Sequence, residues 1–223
     1  MDETILVLIK FRLTGSLRFL SHAETIKVFQ RACVRAGVKI QYSQGFNPRP
    51  RLYLPLPKSV GVELDSDLLC LRISCDADEP QSAIDQSQIK AGLSEQLPDG
   101  FEILSVSEEK GAKTLPQPVT ATYILPVQQQ YIDEELKGRI KNLPESKSLN
   151  LHRQTDPAKL EFKDVDVRPF LKSIELDNES IVVECKISPA GSIRVDEILK
   201  LLELDTEKLS APVRRTSVQW KEA

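Results

Sequence analysis

The chain has 223 residues, of which 40% are apolar and 28% charged, with a formal net charge of −3. That is enough apolar material for one large or two small cores. No run approaches the roughly 20 apolar residues of a spanning helix. The opening "MDETILVLIKFRLTG" carries acids where a secretion signal would be positive, so a cytoplasmic protein is expected. Cys33, Cys70, Cys75 and Cys185 form no C-x-x-C pair, which removes zinc-ribbon and dithiol redox chemistry and leaves Cys33, Cys70 and Cys185 as packing thiols, with Cys75 at a strand end assigned no role.

Residues 4–14, rich in β-branched side chains and ending at Gly15, predict a first strand. Ser21 to Glu24 reads as a capping box that starts a helix. Ile26, Phe29, Ala32, Cys33 and Ala36 give that helix an apolar stripe, and Gly37 supplies a left-handed stop. "VKIQY", "RLYLPL" and "DLLCLRISC" read as three further strands, 82–97 as a second helix and "FEILSVSEE" as a closing strand. The pattern predicts an α+β fold, a ferredoxin-like sandwich with a mainly antiparallel sheet and two helices on one face. "EEKGAKTLPQPV" reads as a linker, after which the order repeats. "TATYILPV", "DEELKGRIKNL", "LNLHR", "KLEFKDVDV", a hairpin through "DNES", "SIRVDEILKLLEL" and "VRRTSVQW" make a second half. Two ferredoxin-like domains are expected, over 1–110 and 119–223.

The net charge hides a division. Between residues 10 and 60 lie ten of the chain's 30 cations, Lys10, Arg12, Arg18, Lys27, Arg31, Arg35, Lys39, Arg49, Arg51 and Lys58, against one acid, Glu24. Lys27, Arg31 and Arg35 repeat every four residues and stack on the side of the helix opposite its apolar stripe. A solvated face is the ordinary explanation, but such faces usually mix signs. Unrelieved cations at this spacing repel by a few tenths of a kcal/mol per pair, and nucleic-acid phosphate is the polyanion that would relieve them.

In "YSQGFNPRPRLYLPLPKSVG", residues 42–61, Gly45 opens backbone angles closed to other residues while Pro48 and Pro50 fix theirs. Phe46, Arg49 and Arg51 are thereby held in few conformations, with the aromatic ring free to stack on a base and the guanidinium groups on phosphates. The opposing reading, evenly weighted, has Phe46 plugging the core and the prolines protecting a sheet edge. RNA contacts are expected from Arg18, Lys27, Arg31, Arg35, Tyr42, Phe46, Asn47, Arg49 and Arg51.

Catalytic groups are scarce. His22 and His152 are the only histidines, too few for a His-rich metal site, and no metal ligand set is predicted. His22, at the positive end of the first helix, is the one candidate general base, for metal-free RNA cleavage, with a first-turn polar role as the simpler reading. Asp76 and Asp78 read as a solvated turn. No phosphate-binding loop, dinucleotide fingerprint or nucleophile elbow is present.

The stretch from Lys10 to Ile73 resembles the radical SAM-linked family of unknown function. It carries a G-x-L-R-F-x-S-H start to the helix, here Gly15, Leu17, Arg18, Phe19, Ser21 and His22. It also carries a Y-S-x-G-F-N-P motif, here Tyr42, Ser43, Gly45, Phe46, Asn47 and Pro48. "KDVDVRPFL" and "SIRVDEILKLLEL" resemble the family's second half more weakly. Ala23-Glu24 stands where leucine-aspartate is expected and Arg49 where histidine is common; Glu24 preserves the cap. The resemblance implies a radical SAM protein as partner, one that often carries a cobalamin-binding domain. Its iron–sulfur cluster, S-adenosylmethionine and cobalamin would belong to that partner, since this chain has no C-x-x-x-C-x-x-C motif. The expected function is a non-catalytic accessory presenting RNA, tRNA or rRNA, to that enzyme. The alternatives are a protein adaptor that docks the enzyme without RNA, and the endonuclease built on His22.

Overall fold

The structure is a computed structural model describing residues 4–74, 85–109, 114–156 and 161–221. The fold is mixed α/β: mostly antiparallel sheet with four α-helices among the described residues. The chain divides into two compact units, Met1–Gln117 with Trp220–Ala223, and Pro118–Gln219.

The first unit runs β1 (Thr4–Leu13), a 3-10 turn (Gly15–Phe19), α1 (His22–Arg35), β2 (Leu52–Tyr53), β3 (Glu63–Ser74), α2 (Gln86–Gln96) and β4 (Phe101–Glu109). β1 lies between β3 and β4, antiparallel to both, and β2 pairs antiparallel with β3. Consecutive residues Leu6 and Val7 are both fully buried, so β1 is covered on two faces. On one face the Phe11 ring meets Phe29 of α1 edge-on at 4.8 Å, and Phe29 meets Phe101 of β4 at 5.1 Å. On the other, Leu6, Leu68 and Cys70 form a cluster against which Leu8, Leu115 and Trp220 pack.

Local sequence explains most of these elements. The Ser21 hydroxyl accepts from the Glu24 amide and the Glu24 carboxylate accepts from the Ser21 amide at 2.8 Å, so the predicted capping box is present and α1 begins after Ser21. Thr25, Phe29, Ala32 and Cys33 form its buried face. Gly100, at φ +100°, lies so close to the Thr14 carbonyl that a Cβ there would sit 2.8 Å from the oxygen, so only glycine fits this turn.

Two expectations change here. "VKIQY" forms no strand; Ile40 and Tyr42 make only isolated bridges, to Ile73 and Pro50. The "RLYLPL" strand shrinks to Leu52–Tyr53, because Pro50 and Pro55 bracket it and donate no amide hydrogen to a ladder. The expected linker also ends early, since the next strand starts at Gln117. Cys75, Asp76 and Asp78 lie outside the described residues.

The second unit runs β5 (Gln117–Pro126), α3 (Glu134–Asn142), β6 (Asn150–Asp156), β7 (Glu161–Asp166), β8 (Leu171–Asp177), β9 (Ser180–Lys186), α4 (Val195–Leu202) and β10 (Arg214–Lys221). Its sheet has the order β10-β5-β9-β8, and β6 and β7 form a separate antiparallel ribbon. Ala121, Tyr123 and Leu125 of β5 face Cys185, Val183 and Ile181 of β9 across the ladder, all buried. The β8–β9 hairpin turns at Asn178, whose φ of +52° suits asparagine, as "DNES" predicts.

Candidate nucleic-acid interface

The Ser21–Glu24 box sets the direction of α1, and the buried side that follows turns Lys27, Arg31 and Arg35 outward; all three are exposed, with Val34 beside them. Among the described residues no ion pair holds Arg31, Arg35, Arg49 or Arg51. The acid nearest in sequence, Glu24, is committed to the helix start. The Ser21 amide, and then the Ser21 hydroxyl, hold its carboxyl below the usual value of 4.5, with smaller pulls from Lys27 and Lys58.

That shift has a measurable consequence. A carboxylate with a lowered folded pKa contributes stability that is complete above its ordinary value and is lost as pH falls through the lowered one. Far-UV circular dichroism is therefore expected to show an acid-side loss of helix below about pH 4.5 that is smaller in Glu24→Gln. An identical acid profile in the two proteins would refute the coupling.

Residues 41–51 fold back on themselves. Tyr42 bridges Pro50, the Ser43 amide donates to the Arg49 carbonyl at 2.8 Å, and the Arg49 amide donates to the Ser43 hydroxyl at 2.9 Å. The base is tied to β3, with the Gln41 amide donating to the Arg72 carbonyl and the Arg72 amide to the Arg51 carbonyl. At the apex Gly45 takes φ +130°, a conformation that L side chains rarely adopt. Phe46 is 107% exposed and Tyr42 46%, so neither plugs the core. Asn47 and Arg49 are also exposed, and Arg51 is half-buried.

Three cations counted toward the basic region are otherwise engaged. Lys58 is buried, its Nζ donating to the carbonyls of Arg18 and Leu20, both at 2.7 Å, and of Ser59 at 3.2 Å. It clamps the 3-10 turn to the start of α1 and is not a surface charge. Arg12 pairs with Glu102 across β1 and β4. Arg18 is half-buried; its Nη1 donates to the Gly15 carbonyl and its guanidinium lies 4.3 Å from the Phe19 ring centre. Of these three only Arg18 belongs to the helix-start motif, and its contacts are within the turn itself. Arg168 of the "VRPF" segment plays a part like that of Lys58, donating to the carbonyls of Pro144, Ser146 and Leu171.

His22 is half-buried, and its Nδ1 accepts from the Lys58 amide at 3.4 Å, which fits the first-turn polar reading. The buried thiols offer no nucleophile. Desolvation pushes Cys33, Cys70 and Cys185 each up to about 12. Among the described residues no group of three or more His, Cys, Asp or Glu side chains could hold a metal ion.

Residues 7–200 match the family described as "Uncharacterized protein conserved in bacteria" (DUF2344). The chain belongs to this family. No curated protein matches it. The family assignment covers both units of this DUF2344 protein, the helix with its basic row as well as the ribbon of the second unit. No helix among the described residues is long and apolar enough to cross a membrane.

Among the arrangements that sequence reasoning missed is one on the ribbon of the second unit. On the outer side of the β6–β7 ribbon, His152 Nδ1 lies 2.8 Å from Asp164 Oδ1, and its ring stacks on Phe162 at 4.9 Å with 4° between planes. "LNLHR" and "EFKDVDV" contain these residues, but only the strand register, which sets His152 opposite Asp164, brings them together. The pair is exposed, 65% for His152 and 78% for Asp164, so water screens it.

Proposed function

We propose that this DUF2344 protein is a non-catalytic, cytoplasmic RNA-binding accessory of a radical SAM enzyme. Lys27, Arg31, Arg35, Arg49 and Arg51 hold RNA phosphates, and the RNA is a tRNA or rRNA that the partner modifies. The iron–sulfur cluster, S-adenosylmethionine and any cobalamin are the partner's. Both units are read as ferredoxin-like sandwiches, a reading supported by strand order β4-β1-β3 with β2 on β3, and β10-β5-β9-β8. The observation that carries the functional reading is the outward row Lys27, Arg31 and Arg35, in which neither arginine has a carboxylate partner among the described residues.

The test is RNA binding as a function of salt. Affinity is expected to fall linearly in log salt with a slope of about −0.7 per contacted phosphate on single strands. The triple variant Lys27→Glu, Arg31→Glu, Arg35→Glu is expected to shallow that slope by about 2 and to bind roughly tenfold more weakly per lost contact. Its circular dichroism should match wild type, because the three side chains leave the buried face of α1 untouched. Unchanged RNA affinity in a folded triple variant would remove the proposal.

A second reading, an adaptor that docks the partner without RNA, draws on a separate observation. Phe19 and Val60 are 59% and 60% exposed, and the Gly61 amide donating to the Arg18 carbonyl brings their segments together. Capture of the radical SAM enzyme by a chain that retains no RNA at low salt would favour it.

A further inference from the structure

We propose that the hairpin from Tyr42 to Pro50 is a probe for unpaired bases, so that the RNA recognised is single-stranded or looped at this contact; this rests on the RNA-binding reading above. Phe46 projects from the apex at 107% exposure. Its position is nevertheless constrained. The Ser43–Arg49 hydrogen bonds close the loop beneath it, Gly45 adopts φ +130° beside it, and Pro48 and Pro50 fix the returning limb. Because the loop beneath the ring is already closed, covering it with a ligand costs side-chain freedom but little backbone freedom.

The chemistry selects the ligand. A neutral ring beside a return limb that carries Arg49 suits a molecule with flat apolar faces and a polyanionic backbone. In an A-form duplex those faces are stacked on one another and the deep major groove is too narrow for side chains, so a projecting phenyl ring reaches only unpaired bases. Phe46 has a face for any base and no hydrogen-bonding group, so the contact discriminates pairing state and not sequence. Arg49, exposed on the return limb, is placed to grip the backbone flanking the stacked base.

The experiment uses the full chain with two probes, a short fluorescein-labelled oligoribonucleotide and the same strand annealed to its complement. Wild type is expected to prefer the single strand. Phe46→Ala should weaken single-strand binding by about 5- to 150-fold, the range of one lost base–aromatic stack, and leave duplex binding unchanged. Phe46→Trp should retain the preference, and the emission added by its indole should be quenched by the single strand alone. Because Phe46 makes no core contact, neither variant removes packing. If wild type binds single strands and Phe46→Ala binds them equally well, or loses both probes alike, the inference is overturned while the RNA-binding reading stands. If wild type binds neither probe at low salt, the RNA-binding reading falls and this inference with it, as it would were the ring an anchor for a protein pocket.

Discussion

Replacing Phe29 by alanine is expected to destabilise the first unit by about 3–5 kcal/mol, the cost of emptying a fully buried aromatic site. Phe29 has no solvent exposure and is the link between α1 and the sheet, touching Phe11 of β1 and Phe101 of β4 edge-on. Its removal forfeits its own burial and two aromatic contacts, and the surrounding strands are too constrained by their ladders to collapse into the space. The measurement is urea unfolding of the full chain followed by the fluorescence of Trp220. This is the chain's single tryptophan, and it packs on the Leu6, Leu68 and Cys70 cluster of the same unit. The midpoint should move to lower urea with an unchanged slope. A loss under about 1 kcal/mol would mean that Phe29 is not the anchor of α1. The functional bearing is direct. The row Lys27, Arg31 and Arg35 is displayed only while Phe29 and Cys33 hold the opposite side of the helix down, so under the proposed RNA-binding function Phe29→Ala should weaken binding through folding, whereas the charge reversals should do so without it.

Substituting Glu197 by alanine is expected to cost a similar amount, about 3–5 kcal/mol, in the second unit. Glu197 Oε1 accepts from Arg153 Nε at 2.6 Å and Oε2 from Arg153 Nη2 at 2.7 Å, with side-chain exposures of 4% for Glu197 and 14% for Arg153. The carboxylate also accepts from the Arg194 amide at the start of α4, and Arg153 Nη2 donates to the Ser192 carbonyl. The bond to Glu197 raises the pKa of Arg153, so the guanidinium stays charged at every pH at which the protein is handled. Deleting the acid alone therefore strands a half-buried cation, its side chain 14% exposed. Replacing both partners with methionine should recover much of the loss, because no uncompensated charge remains. Hydrogen exchange at the β6 and β7 amides is the readout. Full protection in Glu197→Ala would show that the pair does not hold the ribbon to α4.

Much of the first unit was legible before any coordinates. The Ser21–Glu24 box and the stripe through Phe29 and Cys33 are local signals, set by side chains one helical turn apart, and α1 occupies the expected place. In the second unit, "DNES" marked the β8–β9 hairpin because the turn needs a residue that tolerates positive φ. "VKIQY" misled because its composition suits a strand, while the prolines that follow leave too few amide donors for a ladder and the segment instead becomes one limb of the Phe46 hairpin. Charge counting overreached at Lys58 and Arg12. Sequence gives a cation's sign but not its surroundings, and three carbonyls around Lys58 turn an apparent surface charge into an internal clamp.

What the sequence determined by itself is the order of the elements outside residues 38–42, the start and amphipathic split of α1, and the stiffness of the glycine–proline loop, since each depends on residues within a few positions of one another. Only the tertiary structure decided which cations face water, that Phe46 projects instead of packing, and that His152 meets Asp164 and Arg153 meets Glu197. Those outcomes depend on strand register and on contacts such as His152–Asp164, Arg153–Glu197 and Arg12–Glu102, which are 12, 44 and 90 positions apart, and chain proximity carries no information at that range.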